Sequence, residues 1–580
     1  MPAGQGETAA PGGGVPTETL RPSPRFRRLC FGLFCALTGL LLAWLAWRTM
    51  APGGWTGWEI LGFAAFLGLL PWAALSAVNG AIGGALLLGS RDPAAAVMPQ
   101  LRVAPVHTPL APPGLRTGIL CCVRDEPVEA VLPPVERLLA GLEATGAGGS
   151  FTFWLLSDTR DDALAAREAA GVAALALRFP GRAHYRRRRE NTGFKAGNVM
   201  EFLDRHAGGL DLFLCLDADS GMTAPAVLRL VGCMEADPRL AIVQPLIVGR
   251  PAESAFPRLF QFGMRAGMRA WATGQAWWQG DEGPYWGHNA VLRIAPFRAH
   301  ARLAPLPDGR PVLSHDQVEA VQLQAAGWKV RCLPVEEGSL EGNPPTLPDF
   351  LARDSRWGEG NMQYWRLLLR PGLRAMGRWQ LLQAILLFAG APLWVLLAVA
   401  AVGNVAAGGG EATPRAALAL LLGATWLCTY APKLMGYAEL LLRPGRAAPY
   451  GGRGAVLRGA GAEILFTTLL DPVSLLNKAL VLIALPFGRQ GGWGVQRREA
   501  RGLRLREALR RLWPHTLLGV LLLLALGLHS LGALLWGLPF LLGLALAVPF
   551  GLLTAGPRFS ALLRRHGIAA TPEERAGGLG

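Results

Sequence analysis

Residues 29–47, LCFGLFCALTGLLLAWLAW, hold nineteen positions without a charge, and no feature of the chain constrains its fold more. Such a run is long enough to cross a hydrocarbon core of ~30 Å as a helix. Arg25, Arg27 and Arg28 precede it, which predicts a cytoplasmic amino terminus. The run exceeds the ~7–15 apolar residues of a cleaved signal peptide and lacks a clear cleavage site, so a retained span is expected. A second span, about 60–88, brings the chain back. Further apolar blocks at 380–406 and 416–442 read as an out-and-back pair, and 515–535 with 537–554 as a final hairpin.

Between the two apolar regions, residues 100–375 have the charge density of a soluble domain. The expected organisation is a flexible basic cytoplasmic tail (1–28) and two transmembrane helices (29–89). A cytoplasmic soluble domain (100–375) follows, then a membrane region of about five or six segments (380–555) and a cytoplasmic carboxyl-terminal tail (556–580). The segment EILFTTLLDPVSLLNKALVLIALPF, 463–487, leaves two readings open. Asp471-Pro472 and Asn477-Lys478 interrupt it, so it is either a re-entrant or interfacial helix pair or one helix with a proline kink.

Net charge is +16, but only four of 57 basic residues are lysine, a bias of composition rather than a nucleic-acid signature. The arginines fall in short runs near membrane segments without the aromatic platforms of RNA-binding modules, so no nucleic-acid partner is expected. Eight cysteines show neither CxxC spacing nor histidine partners at zinc-ligand distances and read as reduced core residues.

Within 100–375, three apolar runs end in acids. ILCCV (119–123) leads to Asp125 and Glu126, FTFWLLSD (151–158) ends at Asp158, and LDLFLCLDADS (210–220) carries Asp217 and Asp219. Strand and helix signals alternate, which predicts an α/β domain with a mostly parallel sheet; ligands bind such sheets at the carboxyl ends of the strands. A single Asp at a strand end is often only a turn former. Three together form a repelling cluster that needs a cation or hydrogen-bond donors. Asp217 and Asp219 flank a small residue and can both reach one face of the turn, and such hard oxygen ligands suit Mg²⁺ or Mn²⁺ shared with water and phosphates.

Other polar groups follow. YRRRRENTGFKAGN (185–198) brings four arginines and Lys195; the arginines either line an approach for an anionic substrate or pair with surface acids. Tyr285, Trp286, His288 and Asn289 combine aromatic faces and polar tips that suit a sugar ring, although a buried turn with a satisfied histidine has the same composition. Asp316 begins a helical pattern, as N-cap or as a general base for an incoming hydroxyl. Arg353, Arg356 and Trp357 precede the membrane, where Arg and Trp either grip phosphate and acceptor or anchor an interface.

In this order, the strand-end carboxylate, Ser-Asp, KAGN, DAD, YWGHN, HD and RW resemble the membrane-embedded family 2 glycosyltransferases, such as cellulose and hyaluronan synthases. LSDT, YRRRR, LDADS, YWGHNAVLR, LSHDQVEA and RDSRWGEGN narrow the resemblance to the bacterial glucosyltransferases of osmoregulated periplasmic glucan synthesis. The resemblance implies a GT-A domain of Rossmann-like type set between transmembrane regions, UDP-glucose as donor, and inversion at the anomeric carbon. It implies a linear β-1,2-glucan passed across the bacterial inner membrane. By the same resemblance Asp125 and Asp158 contact the uridine half, Lys195 the diphosphate, and Asp217 the ribose or the metal's surroundings. Asp219 holds the metal, Asp316 is the base, and Arg356 and Trp357 match the RW half of the family's QxxRW motif as substrate- or nucleotide-binding residues. A growing glucan and the lipid bilayer are implied partners, with an acyl carrier protein and periplasmic glucan-processing proteins as candidates.

Two departures bear on these roles. VRDEP stands where the family has an Asn-Glu-Asp run, so Asp125 and Glu126 compete for one role, and position 353 is Arg where the wider family has Gln. A cellulose- or hyaluronan-like synthase and a non-catalytic nucleotide-sugar-binding membrane protein are the alternatives; a mere binding module has no need of a base.

Overall fold

The computed structural model describes residues 22–105, 107, 112–488 and 500–577. Ten strands lie between Thr117 and Glu341. They are β1 (Thr117–Val123), β2 (Phe151–Ser157), β3 (Ala183–Arg187), β4 (Leu212–Asp217), β5 (Gly221–Met222), β6 (Leu240–Pro245), β7 (Val248–Gly249), β8 (Ala290–Arg293), β9 (Lys329–Leu333) and β10 (Ser339–Glu341). Seven form one sheet in the order β3-β2-β1-β4-β8-β6-β9, parallel except for β8, which runs against both β4 and β6. The short β5, β10 and β7 make a second sheet.

The central strands are apolar almost throughout because both faces are covered. One face packs Ile119, Phe151, Phe153 and Leu214 against the helices Val128–Ala144 and Ala224–Ala236. The opposite face packs Leu120, Leu156 and Phe213 against the helix Phe194–Arg205 and the segment around Tyr285. Burial on two faces favours the near-continuous hydrophobic strands of a parallel sheet over an alternating pattern.

Among the described residues, six helices are long and apolar enough to cross a membrane: Pro24–Met50, Gly57–Gly89, Ala375–Ala406, Arg415–Leu442, Arg453–Phe487 and Leu505–His529. The pair Leu531–Ala545 and Ala547–Ala555, bent by 58°, would make a seventh as one broken span. Of the two readings for 463–487, the single helix is the one found. An α-helix runs through Pro472 from Arg453 to Ala484. Its polar residues do not break it because each meets protein: Tyr430 Oη donates to Asp471 at 2.9 Å, and Asn477 donates to Ser355 Oγ at 3.1 Å. Residues 489–499 of the basic loop that follows lie outside the described residues. All eight cysteines are unbonded, as expected.

One helix, Ala255–Gln279, joins the sheet domain to this bundle. Three glycines let it approach backbone to backbone. A Cβ at Gly83 would overlap the Ala270 carbonyl, one at Gly274 the Asn79 carbonyl, and one at Gly436 the Ala266 carbonyl. Arg269 adds charge at the same seam, donating to Glu336 at 2.7 Å and lying 3.1 Å from Glu439.

Candidate active site

Strand register brings the candidate residues to one edge. Val123 pairs with Ser157 and Cys122 with Asp217, so the turns after β1, β2 and β4 end level with one another. Cys215 pairs with Ala290 of the antiparallel β8, which delivers His288 and Asn289 to the same edge from the opposite direction.

The acids there have different surroundings. Asp125 adopts a left-handed backbone, φ 63°, with its N–H donating to Thr159 Oγ1 at 2.9 Å and its carboxylate accepting from Arg160 N at 3.3 Å. Glu126 turns back on its own loop and accepts from Arg124 N at 2.5 Å. Asp158 is buried and gripped at both oxygens by Arg188, at 2.5 and 2.7 Å, while Asn198 donates to it at 2.9 Å. The arginine run therefore serves mostly as partners for acids. Besides Arg188, Arg187 pairs with Asp162 at 2.7 Å, and Arg186 donates to Asn198 at 2.6 Å.

Lys195 forms a close ion pair with Asp217 and donates to the Gly287 carbonyl at 2.8 Å. Burial would lower its pKa, but Asp217 outweighs that and raises it. His288 stands beside the pair, with Nδ1 3.7 Å from Asp217 and 3.3 Å from the Trp286 carbonyl, and Nε2 3.0 Å from Glu341. A carbonyl and a carboxylate only accept, so both ring nitrogens carry protons and the ring is a cation. Burial works against that charge, yet Asp217 and Glu341 lift its pKa to about 9. Glu341 shifts the other way: burial raises it, the bond to His288 lowers it, and the net direction is down.

Gly287, φ 88°, lies between this group and Asp316. A Cβ there would sit 3.4 Å from Asp316 Cβ, so glycine allows the close approach. Asp316 opens the helix Asp316–Ala325, and burial raises its carboxyl above the ordinary range, the direction a proton acceptor at neutral pH needs. Asp219 lies past the end of β4, beside Gly342, where a Cβ would come 3.2 Å from its Oδ2.

The remaining candidates divide by exposure. Trp357 is 46% exposed, while Arg353 is buried with its guanidinium 4.6 Å above the Trp357 ring. Both Trp357 and Arg356 belong to the helix Leu347–Met362. Tyr285 and Asn289, which the sequence reads either as sugar contacts or as parts of a buried turn, are both buried. The Tyr285 ring is 2% exposed within the core, and the fully buried Asn289 donates to Ser339 Oγ and the Leu340 carbonyl, both at 3.2 Å. Asn289 thereby ties the loop ahead of β8 to β10, which leaves Trp286 and His288 as its more accessible polar and aromatic groups. Glu341 and Arg188 were not picked out from sequence. Arg188 lay in the conspicuous YRRRR run, but Glu341 has no motif around it.

This chain is 33% identical over 595 aligned residues to the glucans biosynthesis glucosyltransferase H of Caulobacter vibrioides, covering 97% of this chain and 87% of that protein. The chain belongs to the glucans biosynthesis glucosyltransferase H family. A glucosyltransferase H of Bradyrhizobium diazoefficiens is 34% identical over 94% of this chain and 74% of its own length, and that of Xylella fastidiosa 33% over 93% and 86%. Residues 212–432, from β4 into the fourth apolar helix, match the family model described as glycosyl transferase family group 2. Among solved structures, the mannosyltransferase PcManGT from Pyrobaculum calidifontis, in complex with GDP-Man and Mn2+, is similar at a TM-score of 0.40 and 18% identity, over 63% of this chain and 99% of that one. Membership in the glucosyltransferase H family, together with the mostly parallel sheet, makes this a GT-A glycosyltransferase domain flanked by apolar helices. The chain is a glycosyltransferase of glucan biosynthesis.

Proposed function

We propose that this chain is an inverting glucosyltransferase that uses UDP-glucose to build the linear β-1,2-glucan backbone of osmoregulated periplasmic glucans. One observation carries the reading: Lys195, Asp217, His288 and Asp316 converge on a single sheet edge around Gly287. Two cations suit a diphosphate, and a carboxylate with a raised pKa suits an acceptor hydroxyl.

In this reading Asp125 and Asp158 with its arginine bind the uridine half, and Lys195 and His288 bind the diphosphate while Asp217 orients both. Trp286, Arg356 and Trp357 cradle the acceptor, over the framework set by Tyr285 and Asn289. Asp316 takes the proton of the acceptor hydroxyl as its oxygen bonds to the anomeric carbon. The bond from that carbon to the diphosphate oxygen breaks, and UDP leaves with the electron pair. Among the described residues no three His, Cys, Asp or Glu side chains converge to cage a metal. Asp219 as one protein ligand fits a hard cation whose other ligands are phosphates and water. Bound there, Mg²⁺ or Mn²⁺ supplies neutralising charge to the diphosphate.

The catalytic domain works at the cytoplasmic face of the bacterial inner membrane, where UDP-glucose is available, and the growing glucan passes through the spans to the periplasm. An acyl carrier protein and periplasmic glucan-processing proteins are proposed as partners from the family likeness alone. Purified full chain in detergent with UDP-glucose and Mg²⁺ should release UDP and make a β-1,2-linked product. Absence of turnover with any UDP-sugar would sink the reading, and linkage analysis separates it from a cellulose- or hyaluronan-type synthase.

A further inference from the structure

The helix Leu347–Met362 is the last α-helix of the catalytic domain before the spans, and residues of the membrane region grip it at two heights. Near its start, Arg501 lies between Asp349, at 2.9 and 3.0 Å, and Glu507, at 2.9 Å. At its middle it meets Ser474, Asn477 and Lys478, whose spacing of three and four residues puts them on one face of the span Arg453–Phe487. Ser474 Oγ donates to Asp354 Oδ2 at 3.2 Å, and Lys478 Nζ lies 3.7 Å from the same oxygen. Asn477 Nδ2 donates to the Leu351 carbonyl at 3.3 Å and to Ser355 Oγ at 3.1 Å.

Lys478 also sits 5.0 Å from the Phe388 ring centroid, and that ring packs on Gly358, where a Cβ would come 3.1 Å from Phe388 Cδ1. The Arg353–Gly358 turns are thus held between two spans. A lysine within a membrane helix is costly unless it is partnered. Here the partner is a carboxylate that is 6% exposed and belongs to the catalytic domain.

The far side of the same helix touches the approach to Asp316. Tyr364, just beyond its end, donates to the Ser314 carbonyl at 3.0 Å, and Gln363 accepts from Leu313 N at 2.8 Å. A Cβ at Gly360 would overlap Ser314 Oγ. Movement of the helix therefore reaches the residues immediately before Asp316 without crossing the nucleotide side of the sheet.

We propose that Ser474, Asn477 and Lys478 are positioning residues for glycosyl transfer: from within the membrane they fix the helix bearing Arg356 and Trp357, and so set the acceptor end of the glucan against Asp316. This rests on the glucosyl-transfer reading above. The test uses the full chain in detergent and measures UDP affinity, kcat with UDP-glucose, and glucan length for wild type, Lys478→Met, Lys478→Arg and Asn477→Leu. A misplaced reacting group costs roughly 10- to 100-fold in rate. Lys478→Met and Asn477→Leu should lose about that much kcat and make shorter glucan, with UDP affinity within about twofold of wild type. Lys478→Arg should recover most of the rate. Asn477→Leu strands no charge, so it remains informative where Lys478→Met fails to fold. Wild-type rate and length in the variants would overturn the proposal, as would a loss of UDP affinity in step with kcat. Turnover by the wild type is the separate control on which the glucosyl-transfer reading stands or falls.

Discussion

Lys195 and Asp217 close on each other across the mouth of the sheet, and the same ammonium donates to the carbonyl of Gly287, the residue against which Asp316 packs. One side chain thus ties the end of β4 to the loop ahead of β8. Lys195→Ala should reduce UDP-glucose turnover by at least about 100-fold, since it removes a fixed cation and releases Asp217. A near wild-type rate of UDP release would remove Lys195 from the site.

Asp316→Asn keeps the shape of the side chain and removes its basicity. General-base catalysis contributes about 10²–10⁴-fold, so turnover should fall by that order while UDP binding stays. A base works deprotonated, and burial raises the Asp316 pKa from its ordinary 3.8. The acid limb of the kcat profile should therefore lie above the usual aspartate range, and a limb at pH 3.8 or below would contradict the assignment.

The cationic His288 predicts a stability profile. Its folded pKa of about 9 exceeds the ordinary 6.5, so its contribution is complete below pH 6.5 and fades as pH rises through 9. The shift corresponds to about 3 kcal/mol at most. The thermal midpoint of the full chain in detergent should drop between pH 6 and 9.5, and His288→Gln should lessen the drop. An equal fall in the variant would mean that other groups cause it.

Asp158→Ala would strand Arg188, whose side chain is 2% exposed. Breaking such a buried pair costs about 3–5 kcal/mol, so the variant should melt well below wild type. Were Asp158 only a nucleotide contact, UDP affinity would fall and the melting temperature would hold.

Gly83→Ala tests the seam between sheet domain and spans. The added methyl meets the Ala270 carbonyl, and overpacking of this kind costs about 1–3 kcal/mol. Gly39→Ala, which meets no atom within 4 Å, is the control, and equal thermal midpoints for the two would argue against the tight joint.

The sheet edge was legible because a parallel strand that ends in an acid announces both its direction and what its loop presents. Asp125, Asp158 and Asp217 follow from that rule with no knowledge of pairing. Glu341 does not: its strand has three residues, pairs with the two-residue β5 and β7, and gains meaning only when folding carries it to His288. Tyr285 and Asn289 stayed open between two readings for a related reason. Aromatic and amide side chains in a turn serve a ligand or the turn itself, and only burial tells which. The unbroken helix through Pro472 was equally hidden, because Asp471, Asn477 and Lys478 are tolerable at that depth only through partners on other helices.

The glycine seam along Ala255–Gln279 has a mechanical meaning. Where carbonyl oxygens of one helix rest in the notches left by glycines of another, there is no layer of side chains to act as a lubricant. The sheet domain has little freedom to rock on its base. For a glycosyltransferase of glucan biosynthesis, that seam gives the catalytic edge a fixed seat on the apolar helices.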